Sequence, residues 1–150
     1  MIVDMVRNDL GKVCQAGSVQ VPELMGAYAY RGVWHGVSTV EGRLADGQSP
    51  GALLHALFPG ASITGAPKRR AMQVIFDLEK RPRSYYTGSI ALITPSGDMS
   101  VSILIRTLIR TKDGLELSVG GGIVTDSVAA REIEETWEKA AVFQNLVTAS

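Results

Sequence analysis

Cysteine is all but absent: Cys14 stands alone among 150 residues, so the chain can form no internal disulfide and no cysteine-built zinc cluster. A reducing compartment, the cytoplasm by default, is the expectation that follows. Net charge is missing too. Lysine and arginine total 15, as do aspartate and glutamate, so no overall charge draws the chain to nucleic acid or to an anionic membrane. Any anion site must therefore be local. Long apolar runs are lacking, because charged residues interrupt each one short of membrane-spanning length. The opening "MIVDMVRNDL" places Asp4 inside its apolar run and has no small-residue cleavage site, so no secretory signal is expected. No "GxSxG", "HExxH" or paired His/Cys set occurs, which removes serine-hydrolase and zinc-protease chemistry. No basic–aromatic stripe suggests nucleic-acid binding.

Hydrophobic residues make up 45%, which suits a packed globular protein of one domain, or one piece of a larger one. Ile2, Val3, Val6, Leu10 and Val13 recur at spacings of three and four, so residues 1–13 are predicted helical, with no capping residue before them. The spacing predicts a short helix over 22–30, opening on Pro22. Residues 31–44 alternate as a strand, with Val33, His35, Val37 and Thr39 on one side. A helix is predicted over 49–58, a loop over 59–66, and a second helix from Pro67 to about Lys80 with Met72, Val74, Ile75 and Leu78 inward. Strands are predicted at 85–95, 99–111 and 114–124, with turns at "SGD" and "KDG". The last helix, 128–148, offers Ile133, Trp137, Ala140, Ala141 and Leu146 for packing. Consecutive hairpin strands imply antiparallel sheet with helices packed on it, an α+β class.

The sharpest pattern is "AREIEETWEKA", residues 130–140. Glu132, Glu135 and Lys139 share one helical stripe, whereas Ile133 and Trp137 occupy another that is expected to face the core. Paired carboxylates suit a hard dication such as magnesium, with Lys139 free to bind a substrate carboxylate; a solvated Glu-to-Lys helix pair gives the same pattern. Gly120, Gly121 and Gly122 end the preceding predicted strand. They allow close approach of a ligand to the backbone, or mark a bulge. "PGASITGAPK" runs into a helix N-terminus attractive to anions, with Ser62 and Thr64 as hydroxyl donors or simple caps. It is not a Walker loop. Arg106 falls among Leu104 and Leu108 on the face opposite Val101, Ile103 and Ile105. A cation so placed needs either a bound carboxylate or an internal salt bridge. Tyr86, opening a neighbouring predicted strand, adds a hydroxyl. His35 is either structural or a general acid–base group.

Taken in order, "MIVDMVRNDLG", "VWHGVSTVEGRL", "PGASITGAPKRRAM", "YYTGSIALI", "ILIRTL" and "GGGIVTDSVAAREIEETWEKA" resemble the chorismate-utilising enzymes along almost the whole chain. "SITGAPK" is most similar to the aminodeoxychorismate synthase branch, with anthranilate and isochorismate synthases as alternatives, and a non-catalytic interaction module of the same fold as a further one. The resemblance implies the β-sandwich of anthranilate synthase component I. It implies magnesium held by Glu135 directly, with Glu132 nearby or through water. It implies Tyr86 and Arg106 on the enolpyruvyl carboxylate, backbone contacts from Gly120 and Gly122, a hydroxyl contact from Ser62, Lys139 as a basic group beside the substrate, and His35 near the ring where the 4-hydroxyl is lost. The implied reaction replaces the 4-hydroxyl of chorismate with an amino group, using ammonia from a glutamine amidotransferase partner.

The family chain is longer, and the resemblance begins after the place where it carries its first metal-binding glutamates and a catalytic lysine. The chain is therefore expected to be the C-terminal portion of a chorismate-binding catalytic domain. Alone, it is expected to bind the metal weakly and to show no turnover. Unpaired edges and uncovered apolar faces are expected to drive homo-oligomerisation, including by domain swapping.

Overall fold

Ile2–Leu10 forms α1, carrying the apolar three-and-four spacing of its sequence, and the chain then turns back so that Cys14 bridges antiparallel to Leu44. The computed structural model describes residues 2–30 and 33–147, with no account of the side chains at 30, 33, 142 and 144–147. Residues 1, 31, 32 and 148 of the predicted elements, and the side chains of Val33 and Leu146, lie outside the described residues.

Two units emerge, Met1–Pro82 with Ile93–Met99, and Arg83–Leu92 with Ser100–Ser150. In the first, β1 (Gln20–Tyr30) pairs antiparallel with β2 (Val33–Glu41). The predicted helix over 22–30 is thus a strand. Its Pro22, Glu23, Leu24 and Met25 read as helix, but pairing with β2 satisfies the backbone and overrides that weak preference. The register shifts between Gln20 and Glu23 and again between Glu23 and Gly26, each time with one more residue on β1 than on β2. Pro22 falls inside the first irregularity, where a missing N–H is tolerated. Met25 falls inside the second, at φ 56°, with its N–H donating to Ser38 Oγ at 3.0 Å.

Helix α2 (Pro50–Leu57) follows, capped by Ser49 Oγ, which accepts from Ala52 N at 3.2 Å. The predicted loop 59–66 contains a one-turn helix, α3 (Ala61–Thr64). Helix α4 (Lys68–Glu79) starts after Pro67 and ends at Lys80 in the left-handed region. Val13, Cys14 and Ala56 are buried, with Leu10, Val19 and Leu53 against them. Helix α1 contacts α2, α3 and β2. Met72, Val74 and Leu78 of α4, expected inward, are exposed.

Strands β3 (Ser89–Ile93) and β4 (Met99–Ile103) pair around the predicted turn, where Thr94 N donates to Asp98 O at 2.9 Å. Strands β5 (Leu108–Thr111) and β6 (Gly114–Leu117) form an antiparallel hairpin over Lys112–Asp113. The predicted strand 99–111 is therefore two. It breaks at Leu104, whose N–H donates to Gly88 O and whose carbonyl accepts from Thr87 N, and Arg106 then takes φ 50°. The predicted strand 114–124 stops at Leu117, which pairs with Leu108, the first residue of β5; beyond it no partner strand continues the ladder among the described residues. Helix α5 (Ala129–Val147) closes the described chain. Ala140 is buried as expected, but Ile133 and Trp137 are 60% and 66% exposed, since no described element covers their stripe. The class is α+β, with three two-stranded sheets among the described residues. Among the described residues no helix is long and apolar enough to cross a membrane.

Candidate functional site

The 3.6-residue turn of α5 sets Glu132, Glu135 and Lys139 above one another, and the glycine run 120–122 passes beneath them. Lys139 Nζ contacts Glu135 Oε1 at 2.6 Å and donates to Gly120 O at 3.2 Å. That single ammonium ties the helix to the glycine segment. A Cβ on Gly121 would lie 3.2 Å from Glu132 Oε2 and 3.9 Å from Lys139 Nζ. A Cβ on Gly120 would lie 2.8 Å from Tyr86 Oη, closer than real Cβ atoms approach, so this position needs glycine to let the phenol in. At Gly122 a Cβ would meet nothing within 4 Å.

Tyr86 does not open a strand. It sits in the turn before β3, half-buried, with the Arg83 guanidinium 5.7 Å from its ring centroid. The Thr87–Gly88 backbone bonds to Leu104, which brings the Tyr86 turn beside the segment that carries Arg106. Arg106 is exposed rather than buried among leucines, and it makes no ion pair with the described residues. Its left-handed backbone, unusual for a long side chain, is a kind of strain that recurs at ligand sites. The second unit thus gathers Tyr86, Gly120, Gly121, Glu132, Glu135 and Lys139.

His35 and Ser62 belong to the first unit. His35 is exposed on β2, opposite Tyr28 of β1. Ser62 is exposed on α3. Thr64 Oγ1 donates to the Gly60 and Gly65 carbonyls, so it closes its own turn and does not cap α4. Sequence reading passed over Asp9, a carboxylate only 3% exposed within α1. Its one signal is a charge in the apolar α1 pattern.

Glu132 and Glu135 offer oxygen donors only, the set a hard dication takes, and two carboxylates leave positions for water and a substrate carboxylate. The donor chemistry fits magnesium, although Lys139 occupies one Glu135 oxygen and no group of three or more His, Cys, Asp or Glu ligands gathers among the described residues.

A family profile described as "chorismate binding enzyme" matches residues 1–145. Aminodeoxychorismate synthase component 1 of Salmonella typhimurium is 49% identical over 139 residues, covering 93% of this chain and 31% of that protein. An anthranilate synthase component 1 of Haloarcula marismortui is 47% identical over 147 residues, 98% of this chain and 30% of that protein. The crystal structure of anthranilate synthase component I from Streptococcus pneumoniae superposes with a TM-score of 0.86 at 41% identity, covering 93% of this chain and 32% of that one. The chain spans about a third of the length of the curated relatives it matches.

Proposed function

The chain belongs to the chorismate binding enzyme family, and from that premise we propose that it is the chorismate-binding part of an aminodeoxychorismate synthase. That enzyme would convert chorismate and glutamine-derived ammonia to 4-amino-4-deoxychorismate, toward para-aminobenzoate and folate. The observation that carries the reading is the gathering of Tyr86, Gly120, Glu132, Glu135 and Lys139 around one glycine segment, where backbone amides, a cation and paired carboxylates lie together.

In this reading the free amides of the glycine run and the Lys139 ammonium orient the ring carboxylate. Glu132 and Glu135 would hold magnesium, which supplies Lewis-acid character when bound. Arg106, without a carboxylate partner among the described residues, takes the enolpyruvyl carboxylate in a bidentate grip, and Tyr86 donates its hydroxyl beside it. For His35 and Ser62 the proposal rests on the resemblance alone: a general acid for the departing 4-hydroxyl and a hydroxyl contact. A glutamine amidotransferase supplies the ammonia.

Calorimetric titration of chorismate tests the reading. Magnesium-dependent binding is expected for the wild-type chain, and its magnesium dependence is expected to vanish in Glu135→Gln. Binding that ignores both magnesium and this substitution would refute the assignment. The 47% identical Haloarcula relative favours an anthranilate synthase as the second reading. Formation of anthranilate rather than 4-amino-4-deoxychorismate from chorismate and ammonia, by a protein containing this chain, would decide for it.

A further inference from the structure

The proposed mechanism makes no use of Asp9, yet it is the one buried charged residue among the described residues. A buried carboxylate is costly unless paired, and this one has two partners. Lys12 Nζ lies 2.8 Å from Oδ1, and Lys68 Nζ lies 2.6 Å from Oδ2. The two lysines differ. Lys12 belongs to the turn just after α1 and is half exposed, a local i,i+3 pair. Lys68 comes from the first turn of α4, 59 positions along the chain, and its side chain is only 20% exposed. Its ammonium also reaches the carbonyls of Ala56 and Leu57, at 3.4 and 3.5 Å, at the end of α2. One cation therefore joins the residue that enters the 58–67 loop to the residue that leaves it, and Asp9 holds that cation in place. Ser62 sits on the loop so closed, on the single turn α3 whose Ala61 packs inward at 6% exposure.

We infer that Asp9 is a positioning residue. Through Lys68 it fixes the two ends of the 58–67 loop and so sets where α3 presents the Ser62 hydroxyl. Beyond the packing of Ala61 and the contact of α3 with α1 and α4, the loop is held by its own short-range bonds. Its amides at Ile63, Thr64 and Gly65 bond only within the loop, to Gly60 and Ala61 carbonyls, and neither cap of α3 uses a side chain. The closing interaction is charge-assisted and largely shielded from water, the class whose loss is felt most. The functional half of the inference rests on Ser62 meeting chorismate as proposed above.

Amide hydrogen exchange across the whole chain tests the structural half. In Asp9→Asn and Lys68→Met, the Ile63, Thr64 and Gly65 amides are expected to exchange about tenfold faster or more, while α5 amides keep their protection. Lys68→Arg is expected to retain loop protection. If loop exchange stays at the wild-type rate in both Asp9→Asn and Lys68→Met, the inference fails. It fails equally if α5 loses protection in both variants along with the loop, because the pair would then serve the whole fold. If only Asp9→Asn unfolds, the Lys68→Met and Lys68→Arg comparison decides. Chorismate affinity tests the functional half. Asp9→Asn and Ser62→Ala are expected to weaken binding by amounts that do not add, since both act through one hydroxyl. Additive losses would overturn that half. A wild-type chain that fails to bind chorismate, with the exchange pattern as expected, would refute the proposed function and leave the loop anchor standing.

Discussion

Gly120→Ala and Gly122→Ala make the same chemical change two residues apart, and the structure assigns them opposite consequences. Neither glycine has a positive φ, so alanine is free of backbone strain at both. Both substitutions gain about 0.4–1 kcal/mol by reducing the freedom of the unfolded chain. At Gly122 the new methyl meets nothing within 4 Å, so the gain stands. At Gly120 the methyl lies 2.8 Å from Tyr86 Oη but 3.9 Å from Cζ. The clash is with the hydroxyl alone, since 3.9 Å is ordinary carbon contact. Overpacking of this kind costs about 1–3 kcal/mol. The difference between the two variants isolates that cost from the shared unfolded-state gain. Tyr86→Phe removes the offending oxygen, so the Tyr86→Phe/Gly120→Ala double variant is expected to recover the stability of Gly122→Ala. Urea unfolding of the four proteins, read by circular dichroism, measures all of this. A Gly120→Ala variant as stable as Gly122→Ala, or one that Tyr86→Phe does not rescue, would refute the packing of the phenol against the glycine run.

Other substitutions have equally definite outcomes. Gly42→Ala would place a methyl 2.7 Å from the Cys14 sulfur and 3.3 Å from Val19 Cγ2, and a loss of about 1–3 kcal/mol is expected in urea unfolding. Lys139→Met removes a partly exposed ion pair and one backbone contact; a loss of about 1 kcal/mol is expected, with chorismate affinity falling far more than stability. Apolar residues left uncovered within each unit, Phe76 and Leu78 on α4 and Trp137 on α5, are expected to drive self-association, which sedimentation velocity should show and Trp137→Glu should reduce.

Much of the fold was legible because its signals are local. Ser49 before Pro50 marks α2, Pro67 marks the start of α4, and "SGD" and "KDG" mark the two hairpins. Misreadings came where tertiary pairing decides. "PELMGAYAY" has helix formers, yet it is held as a strand by β2, with two bulges absorbing Pro22 and Met25. Gly26 in mid-run, with Val21, Tyr28 and Tyr30 around it, was the available sign of a strand. The break at Arg106 was invisible in the alternation of "VSILIRTLIR", because it depends on Leu104 bonding to Thr87 and Gly88 far upstream. The α5 stripe was readable from spacing alone, since three and four residues define a helical face. Its distances to the glycine run were not, and neither was the Asp9–Lys68 pair, whose partners lie 59 residues apart.

In the proposed function, chorismate sits against the glycine run beneath Glu135 and Lys139. Backbone amide spectra of the labelled chain, titrated with chorismate in the presence of magnesium, test it most directly. The Gly120, Gly121 and Gly122 amides are expected to shift in a saturable manner, and those shifts to be lost in Glu135→Gln. Amides of the glycine run that stay fixed at saturating chorismate would contradict it.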